Sequence, residues 1–573
     1  MRAAGYALAG EPAINSPERP DIFAEPPSPV EVDEQRAGDP WALRKRLTKA
    51  AYVERCKRNG VEPSQAEWDD HLRWTDEERQ LLDDMIEAKR EAHCLELGPR
   101  FIITEYGNKA RVGWFNERDE LVTMSPAEFA AGRQHMMIEV GHDDEGKPIL
   151  KPLVQYWLRH PLTPRYATVE YRPGVAQEDM SEGKLNLWRG WPIGLRPGWD
   201  DRRLTVSGTE PLNDGEFDGP EMPPGHCKLF LDHMLNAMCG GDEELMHYLL
   251  GWMADALWNP GPCETAIVLR GPEGSGKSLW AQNFMSLFGP HALTLDDPQQ
   301  VIGNFNKHLA DKSVIFADEA FFAGHHGHAA KLKTLVTRPD IFVEPKGVDG
   351  FVVPKMFRLI MASNEDHVIR AGREDRRFLV LNVDAGERNQ DKEYFGALVD
   401  EWNGGGRAAL FRWLTGAWWG RAVAEELPFR RWPRPVTAGL QEQMDLSLPA
   451  AQMVVHNMLR EGEVPCAHEA DAARDMVFVP TDLLIRAGGL RQNERKALGM
   501  ALAVIAENEA KPDRVYIGTG HDRRQHRGKW LPSLSECRRR WEANLGRKVA
   551  WPADVSDWAL DPGPRYHEEN VPF

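Results

Sequence analysis

The sequence predicts an α/β fold, in which helices pack around a parallel sheet and smaller domains precede and follow this core. Three observations lead to the prediction. Runs of apolar and β-branched residues recur through the middle of the chain, as expected of buried parallel strands. Segments with helical periodicity precede and follow the first run. The length of 573 residues is too great for one hydrophobic core and indicates about three to four domains.

The composition excludes several classes of protein. No apolar run reaches the roughly 18 residues that a membrane span needs, and the N-terminus lacks an apolar segment of signal-peptide type. We therefore expect a cytoplasmic protein without a membrane partner. The seven cysteines are scattered without a CxxC pair, which disfavours a zinc site and a disulfide framework.

The first 260 residues divide into four predicted segments. Residues 1–40 are rich in proline and acids and predict a disordered acidic tail. Residues 41–97 show helical periodicity that Gly98 and Pro99 end. Residues 98–200 alternate short strand runs with turn residues and predict a small β-rich domain. Residues 201–260 predict a helical lead-in to the core, or collar.

The strongest motif begins the predicted core, residues 261–430. The apolar run 266–270 is followed by "GPEGSGKS" and then by a helical segment, which is the strand–loop–helix context of a P-loop. Such a loop binds ATP because its backbone N–H groups approach the phosphates closely and the helix N-terminus favours anions. The predicted binding residues are Gly271, Pro272, Glu273, Gly274, Ser275, Gly276, Lys277 and Ser278. Lys277 is expected on the β- and γ-phosphates and Ser278 on Mg²⁺.

Two later strand runs end in polar residues that complete this site. Residues 313–317 lead into Asp318 and Glu319, a Walker B arrangement in which Asp318 holds Mg²⁺ and Glu319 polarises the attacking water. Residues 357–362 lead into Ser363 and Asn364, and the amide of Asn364 could reach the γ-phosphate or the lytic water, as the sensor of AAA+ proteins does. Both pairs follow the P-loop in the order that a catalytic site requires.

A cluster of arginines precedes the next strand run, residues 379–381. An arginine in this place can neutralise the transition state in the site of a neighbouring subunit. A surface cluster of ion pairs is the alternative. The candidates are Arg370, Arg373, Arg376 and Arg377, and the position favours Arg376 and Arg377.

The combination of motifs resembles superfamily 3 helicases of the phage and plasmid primase-helicase type. The resemblance covers residues from about 100 to 450 and depends most on "GPEGSGKS" (271–278), "FNKHLADKSVIFADEA" (305–320), "RLIMASNE" (358–365) and "DRRF" (375–378), with weaker support from "LNLWRGW" (185–191). It implies an AAA+-like core, a homo-hexameric ring that translocates on single-stranded or forked DNA, and, for a phage protein, the cytoplasm of the host.

The resemblance also implies DNA contacts between the Walker B and Asn motifs. They fall on Lys333 and on the segment 344–347, where Lys346 would contact the DNA backbone from a hairpin in the central channel. The residues themselves predict a hairpin here. Taken alone, Lys346 could equally be an ordinary lysine at a hairpin tip. The first 100 residues are too few for the primase domain that many relatives carry, so a separate primase or polymerase is the expected partner.

The predicted C-terminal module, residues 431–550, combines helices with a β wing and precedes a tail at 551–573. Residues 485–548 hold 15 Lys and Arg against 7 Asp and Glu, although the whole chain has a net charge of −18. This local excess indicates a nucleic-acid-facing surface, for which a winged-helix module is the analogy. A basic solvated surface on an interaction domain is the alternative. The expected phosphate contacts are Arg523, Arg524, Arg527 and Lys529.

Three functions compete. The leading hypothesis is an ATP-dependent DNA helicase that acts in phage or mobile-element replication. The second is a DNA-bound ATPase that serves as initiator, loader or defence switch without unwinding. The third, a small-molecule kinase, leaves the arginine cluster and the basic module without a role, and the sequence offers no acceptor site for it.

Overall fold

The computed structural model describes residues 101–192 and 227–559, apart from short gaps, and a few positions before residue 101 and at Gly219. The gaps are 107–108, 143–147, 304–305, 320–325, 345–349, 373–374, 467, 472–474, 508–511, 519–520 and 522. The acidic tail, most of the helical segment 41–97, most of the segment 193–226, the residues after 559, Arg373 and Lys346 lie outside the described residues. No helix in the described part is long and apolar enough to cross a membrane.

The N-terminal β-rich region contains a four-stranded sheet and two strand pairs. Its strands are β1 Ile102–Tyr106, β2 Lys109–Phe115, β3 Leu121–Met124, β4 Met137–His142, β5 Pro148–Pro152, β6 Arg165–Tyr166, β7 Thr168–Glu170 and β8 Lys184–Asn186. The sheet has the order β3-β2-β1-β6, while β4 pairs with β5 and β7 with β8. The helices Pro126–Gly132 and Leu153–Trp157 cover the sheet, and Phe129 and Trp157 are fully buried in its core. Strands β1 to β8 all lie within residues 98–200, the segment that the sequence predicts to be rich in strands.

This region is attached to the core through aromatic contacts. The hydroxyl of Tyr171 lies 2.7 Å from that of Ser313. Trp188 stacks on His291 with 4.7 Å between ring centroids, and the backbone N–H of Arg189 donates to Nε2 of the same histidine. Burial lowers the pKa of His291 to about 4, so this imidazole is neutral at physiological pH. Its hydrogen bond to Arg189 therefore connects the N-terminal region to the core without a charge.

The helical lead-in consists of the helices Lys228–His233 and Glu243–Trp258, joined by a π-helical turn at Met234–Met238. The side chain of Asp242 caps the second helix by accepting from the N–H of Leu245 at 2.9 Å. Most of that helix is buried, and Asp255 on it forms an ion pair with Arg358 at 2.6 Å. The lead-in therefore packs directly on the central sheet.

The central sheet has five parallel strands, which confirms the predicted α/β fold with a parallel sheet. They are β9 Ala266–Arg270, β10 Ala292–Leu295, β11 Val314–Asp318, β14 Arg358–Ser363 and β15 Phe378–Asn382. Their order is β10-β11-β14-β9-β15, so β9 lies between β14 and β15. Alternate residues along each strand enter two separate hydrophobic cores, one on each face of the sheet.

The helices around this sheet begin with Lys277–Met285, directly after β9. The others are Pro298–Ile302, His326–Thr337, Lys392–Glu401, Arg407–Thr415, Ala417–Gly420 and Ala438–Leu446. Leu440 and Met444 of the last helix belong to a core of the sheet. The predicted boundary at residue 431 therefore lies inside the core, because the apolar face of this helix is buried against the sheet.

Strands β12 Asp340–Val343 and β13 Phe351–Pro354 form an antiparallel pair that follows the helix His326–Thr337. This pair confirms the predicted hairpin. The side chain of Asn306 fastens its base, since it donates to the carbonyl of Phe342 and accepts from the N–H of Glu344.

The C-terminal module contains a four-stranded antiparallel sheet with the order β16-β17-β19-β18. Its strands are β16 Glu469–Asp471, β17 Met476–Pro480, β18 Asp513–Ile517 and β19 Arg524–Leu531, and its helices are Ala450–Glu461, Thr481–Ala487, Arg495–Ile505 and Leu534–Leu545. Within the predicted β wing, we expected strands at 515–518 and 529–531 with residues 521–527 between them, but Arg524–Arg527 belong to β19. This part of the prediction was wrong because β19 continues past its buried half to pair with β18, where its side chains are polar.

Candidate functional site

The loop between β9 and the helix Lys277–Met285 requires glycine at two close approaches. A Cβ atom on Gly271 would lie 2.0 Å from the carbonyl oxygen of Val383. Gly276 has a φ of 92° and precedes the helix, and a Cβ there would lie 2.5 Å from Nε2 of His233. The glycines thus let the loop fold tightly between the end of β15 and the lead-in helix Lys228–His233. The loop leads into the N-terminus of the helix Lys277–Met285, where an anion is favourable.

Lys277 is enclosed by this loop. Its side chain is 6% exposed, and Nζ donates to the carbonyls of Gly271 at 2.8 Å and Pro272 at 2.7 Å and to Oδ1 of Asn364 at 2.8 Å. Burial lowers the pKa of Lys277, while the nearby carboxylates, Glu319 first among them, act in the opposite direction. The ammonium group is therefore held in the loop by neutral oxygens that an anionic ligand could replace.

Asp318 stands at the carboxyl end of β11, next to the first turn of the loop helix. Oγ of Ser278 donates to the two carboxylate oxygens of Asp318 at 3.3 and 3.1 Å. Two oxygen-bearing side chains from separate elements converge here, and oxygen is the ligand atom that Mg²⁺ prefers. The chemistry of this donor pair fits a magnesium ion.

Glu319 is directed towards the end of β14 by an unusual backbone conformation. Its φ is 51°, and its N–H donates to the carbonyl of Ala362 at 3.0 Å. Oε2 of the exposed side chain accepts from Oγ of Ser363 at 3.3 Å and from the N–H of Asn364 at 3.4 Å. A left-handed conformation at a residue other than glycine costs energy, which is typical of a functional position.

The structure thus brings together five side chains that the sequence predicted, at the carboxyl edge of the sheet. They are Lys277, Ser278, Asp318, Glu319 and Asn364. Lys277 donates a hydrogen bond to the side chain of Asn364, and Ser278 donates one to Asp318. Glu319 joins the first pair, because its carboxylate accepts from the backbone N–H of Asn364.

Sequence reasoning missed the residues that support the loop from behind. The N–H of Gln390 donates to the carbonyl of Gly274 at 3.0 Å. His233, 2% exposed, lies beside Gly276 and contacts the Tyr394 hydroxyl through Nδ1 at 3.1 Å. Burial lowers the pKa of His233 to about 4, so the imidazole adds no charge to the loop at neutral pH. No local motif marks these positions, because each comes from a different part of the chain.

Arg270, at the end of β9, was also missed. Its guanidinium forms ion pairs with Asp366 at 2.9 Å and with Glu442 of the helix Ala438–Leu446. It therefore joins the strand that leads into the loop, the segment after Asn364 and a helix that lies far away in sequence.

Arg376 and Arg377 lie at the opposite edge of the sheet, before β15. The five residues of that strand separate them from the carboxyl edge by about 16 Å, at roughly 3.3 Å per residue. They are therefore not brought together with Lys277 of the same chain. Arg377 pairs with Asp375 at 3.5 Å, whereas Arg376 is exposed and lines a cavity of about 310 Å³. Arg430 and Arg434 line the same cavity, together with the aromatic rings of Tyr248, Phe429 and Trp432.

The residues predicted to contact DNA are placed differently from one another. Nζ of Lys333 lies 3.1 Å from the carboxylate of Asp375, so this lysine is engaged at the amino edge of the sheet. Arg523, Arg524 and Arg527 are exposed on the C-terminal module. Lys529 is only 6% exposed. We therefore correct the prediction for Lys529, because neighbouring residues cover this side chain at the inner half of β19 and a phosphate does not reach it.

One protein family and several solved structures are similar to this chain. The profile of a family described as "Family of unknown function (DUF5906)" matches residues 269–377, which include the loop and the five clustered side chains. No curated protein matches the chain. Similar solved structures include the apo C-terminal region of NrS-1 (residues 305–718), with a TM-score of 0.47, 14% identity and coverage of 77% of this chain and 98% of that one. The A form of the same apo region has a TM-score of 0.47 and 13% identity, again with 77% and 98% coverage.

Proposed function

We propose that the chain hydrolyses ATP at the carboxyl edge of the central sheet and uses the energy to move along single-stranded DNA as a helicase of superfamily 3. The observation that carries the proposal is the convergence of Lys277, Ser278, Asp318, Glu319 and Asn364 around the mouth of the loop. Each of these residue types has a defined task in phosphoryl transfer, and their spatial order matches those tasks.

The roles follow from the contacts. The phosphates of ATP would replace the carbonyl and amide oxygens around the Lys277 ammonium group, which would then stabilise the developing negative charge. Ser278 and Asp318 would hold a magnesium ion, which supplies charge neutralisation to the phosphates. Glu319 would orient and polarise the attacking water. Asn364, released from Lys277, would contact the γ-phosphate.

The placement of Arg376 supports a ring of identical subunits. Because Arg376 is exposed and too far from the loop of its own chain, it would reach a nucleotide only in the site of another molecule, as the arginine finger of a hexamer does. The hairpin of β12 and β13 would then contact single-stranded DNA in the channel, with Lys346 as the predicted contact. A separate primase or polymerase would supply the synthesis that replication needs.

The second candidate function is a DNA-bound ATPase that acts as initiator, loader or switch. It would use the same catalytic residues. The two functions differ in whether hydrolysis opens a duplex, so they must be tested on the same DNA substrates.

The test measures ATP hydrolysis with and without single-stranded DNA, and strand displacement on a fork. We expect DNA-stimulated hydrolysis and displacement by the unaltered chain. Lys277→Ala should reduce hydrolysis at least about 100-fold, since it removes the charge that stabilises the transition state. Lys151→Ala, which removes an exposed lysine of the N-terminal region, is the matched control and should hydrolyse normally.

The outcomes separate the hypotheses. Absence of hydrolysis in the unaltered chain, or equal activity in Lys277→Ala, would refute the nucleotide site. Robust DNA-stimulated hydrolysis without displacement would favour the initiator, loader or switch.

A further inference from the structure

The strands β18 and β19 form an exposed ribbon at one end of the C-terminal sheet. Their register sets Arg514 directly opposite Arg527 and Tyr516 directly opposite Gln525. Residues directly opposite each other in an antiparallel pair lie on the same face, with Cβ atoms about 5 Å apart. Positions 514 and 516 also share that face, because side chains alternate along a strand. One face of the ribbon therefore presents all four side chains; we call these four residues the ribbon face.

Two like charges directly opposite each other repel, and such pairs destabilise a sheet unless an anion lies near them. Across the described residues, no ion pair involves Arg514 or Arg527, and both are exposed. The carboxylates nearby have other partners: Asp513 accepts from the indole of Trp530 at 3.1 Å, and Asp482 lies 3.0 Å from Nδ1 of His526. Among the described residues, no carboxylate neutralises the positive charge of the ribbon face.

A basic cluster on the last helix of this module differs in this respect. On the helix Leu534–Leu545, Arg539 and Arg540 both pair with Glu536 at 2.7 Å. After that helix, Lys548 pairs with Glu542 at 2.8 Å. Carboxylates therefore neutralise much of the positive charge at this helix, whereas no ion pair among the described residues neutralises Arg514 and Arg527 of the ribbon face.

An aromatic ring completes the ribbon face. Tyr516 is 52% exposed, although a tyrosine in a sheet usually buries its ring. The guanidinium of Arg523 lies 5.5 Å from the centroid of this ring. An exposed ring beside exposed arginines is the combination by which proteins hold single strands, since every base can stack and every phosphate attracts a cation.

We propose that the ribbon face binds single-stranded DNA, with Arg514 and Arg527 on the phosphates and a base stacked on Tyr516. The sequence pointed to Arg527 and Arg523 but not to Arg514 or Tyr516, which the strand register adds. This inference rests on the proposed function in one respect, because both take single-stranded DNA as the binding partner. It does not depend on hydrolysis.

The test uses the full chain carrying Lys277→Ala, without nucleotide, and a fluorescein-labelled 30-nucleotide oligo(dT) followed by fluorescence anisotropy. The double variant Arg514→Ala/Arg527→Ala should bind about tenfold more weakly, because two phosphate contacts are lost. The slope of log K against log salt should fall in magnitude by about 1.4, at roughly 0.7 per phosphate contact on a single strand. Arg539→Ala/Arg540→Ala is the matched control, since it removes the same charge from the same module, and it should change affinity less than twofold.

A second pair of variants tests stacking independently of charge. Tyr516→Leu should weaken binding by about fivefold or more, as removal of a base–aromatic contact does, whereas Tyr516→Phe should bind normally. Equal losses in the two double-arginine variants would overturn the proposal, because net charge alone would then explain them. A duplex of the same length that competes better than the single strand, or an unaffected Tyr516→Leu, would also overturn it. Since no ATP is present, hydrolysis by the unaltered chain would stand whether or not the ribbon binds DNA.

Discussion

Lys355 is a buried lysine that serves the structure rather than the proposed site. It is 2% exposed, and its Nζ donates to the carbonyls of Leu335 at 2.9 Å and Val336 at 2.8 Å. These carbonyls belong to the last turn of the helix His326–Thr337, where a cation is favourable. Burial nevertheless lowers the pKa of Lys355 to about 8.

This pKa predicts a pH dependence of stability. Between about pH 8 and pH 10 the unfolded chain keeps a proton that the folded chain has released, so the contribution of Lys355 to stability increases with pH. The gain should be about 2 kcal/mol across that interval, and it should be absent from Lys355→Met. Thermal unfolding of both proteins at pH 8 and pH 10 measures the difference between them.

Lys331→Met provides the control, because Lys331 is an exposed lysine on the same helix. It should follow the unaltered chain at both pH values. If Lys355→Met gained as much as the unaltered chain between pH 8 and pH 10, the assignment of this titration to Lys355 would be wrong.

Single residues differ in how far the sequence predicts their place. A local motif specifies five residues at or shortly after the ends of strands, and for this reason the sequence predicted them: Lys277, Ser278, Asp318, Glu319 and Asn364. Lys529 was misplaced, because exposure along a strand depends on which neighbours cover it. Gln390 and His233 could not be found, because only the fold brings them to the loop.

At the scale of elements, the pair of Asp255 and Arg358 joins the lead-in helix to β14. Both side chains are largely buried, and Arg358 also donates to the carbonyls of Trp252 at 3.0 Å and Asn259 at 3.2 Å. A buried ion pair holds two elements in one register, since neither charge tolerates a separation.

Breaking this pair should therefore be costly. Asp255→Ala leaves a buried guanidinium without its carboxylate and should lower the free energy of unfolding of the core by about 3–5 kcal/mol. Adding Arg358→Met should recover part of that loss, because the unpaired charge is then gone. Urea unfolding followed by tryptophan fluorescence measures both effects.

Glu536→Ala is the comparison for an exposed pair and should cost less than about 1 kcal/mol. An equal loss in Asp255→Ala and Glu536→Ala would show that burial adds nothing to the first pair. A double variant less stable than Asp255→Ala would show that the carbonyl contacts of Arg358 stabilise the chain by more than its unpaired charge costs.

Elements were predicted best where a buried strand carries a continuous apolar run. Strands β9, β11 and β14 are of this kind, and their residues are buried along almost their whole length. The long strand β19 was predicted only in part, since its outer half, Arg524–Arg527, is polar and gains its structure from pairing with β18. The order of the strands depends on long-range pairing, which no local pattern encodes.

For the whole molecule, the position of Arg376 predicts that active sites form between subunits. Lys277→Ala and Arg376→Ala should each be nearly inactive. An equal mixture should recover about a quarter of the normal rate, because a quarter of randomly formed interfaces combine an intact loop with an intact arginine. ATP hydrolysis after mixing and reassembly measures the recovery.

The control mixture combines Lys277→Ala with Glu319→Gln. Both changes damage the same side of each site, so every site stays defective and no recovery is expected. Recovery in the control mixture, or its absence from the mixture with Arg376→Ala, would contradict a shared site.

The ion pairs of Arg270 have a consequence for how this chain can be recombined. Glu442, which binds Arg270, lies on a helix that ends at Leu446, and the first helix of the C-terminal module begins at Ala450. Asp445 of the same helix pairs with Arg547 at the far end of that module. A chimera that exchanges C-terminal modules between relatives should therefore be joined between residues 447 and 449, and position 547 of the donor must carry an arginine. A junction at the predicted boundary, residue 431, would instead place a foreign helix beside the end of β9. The hybrid would then lose the ion pair between Arg270 and Glu442, which holds this strand where it leads into the loop.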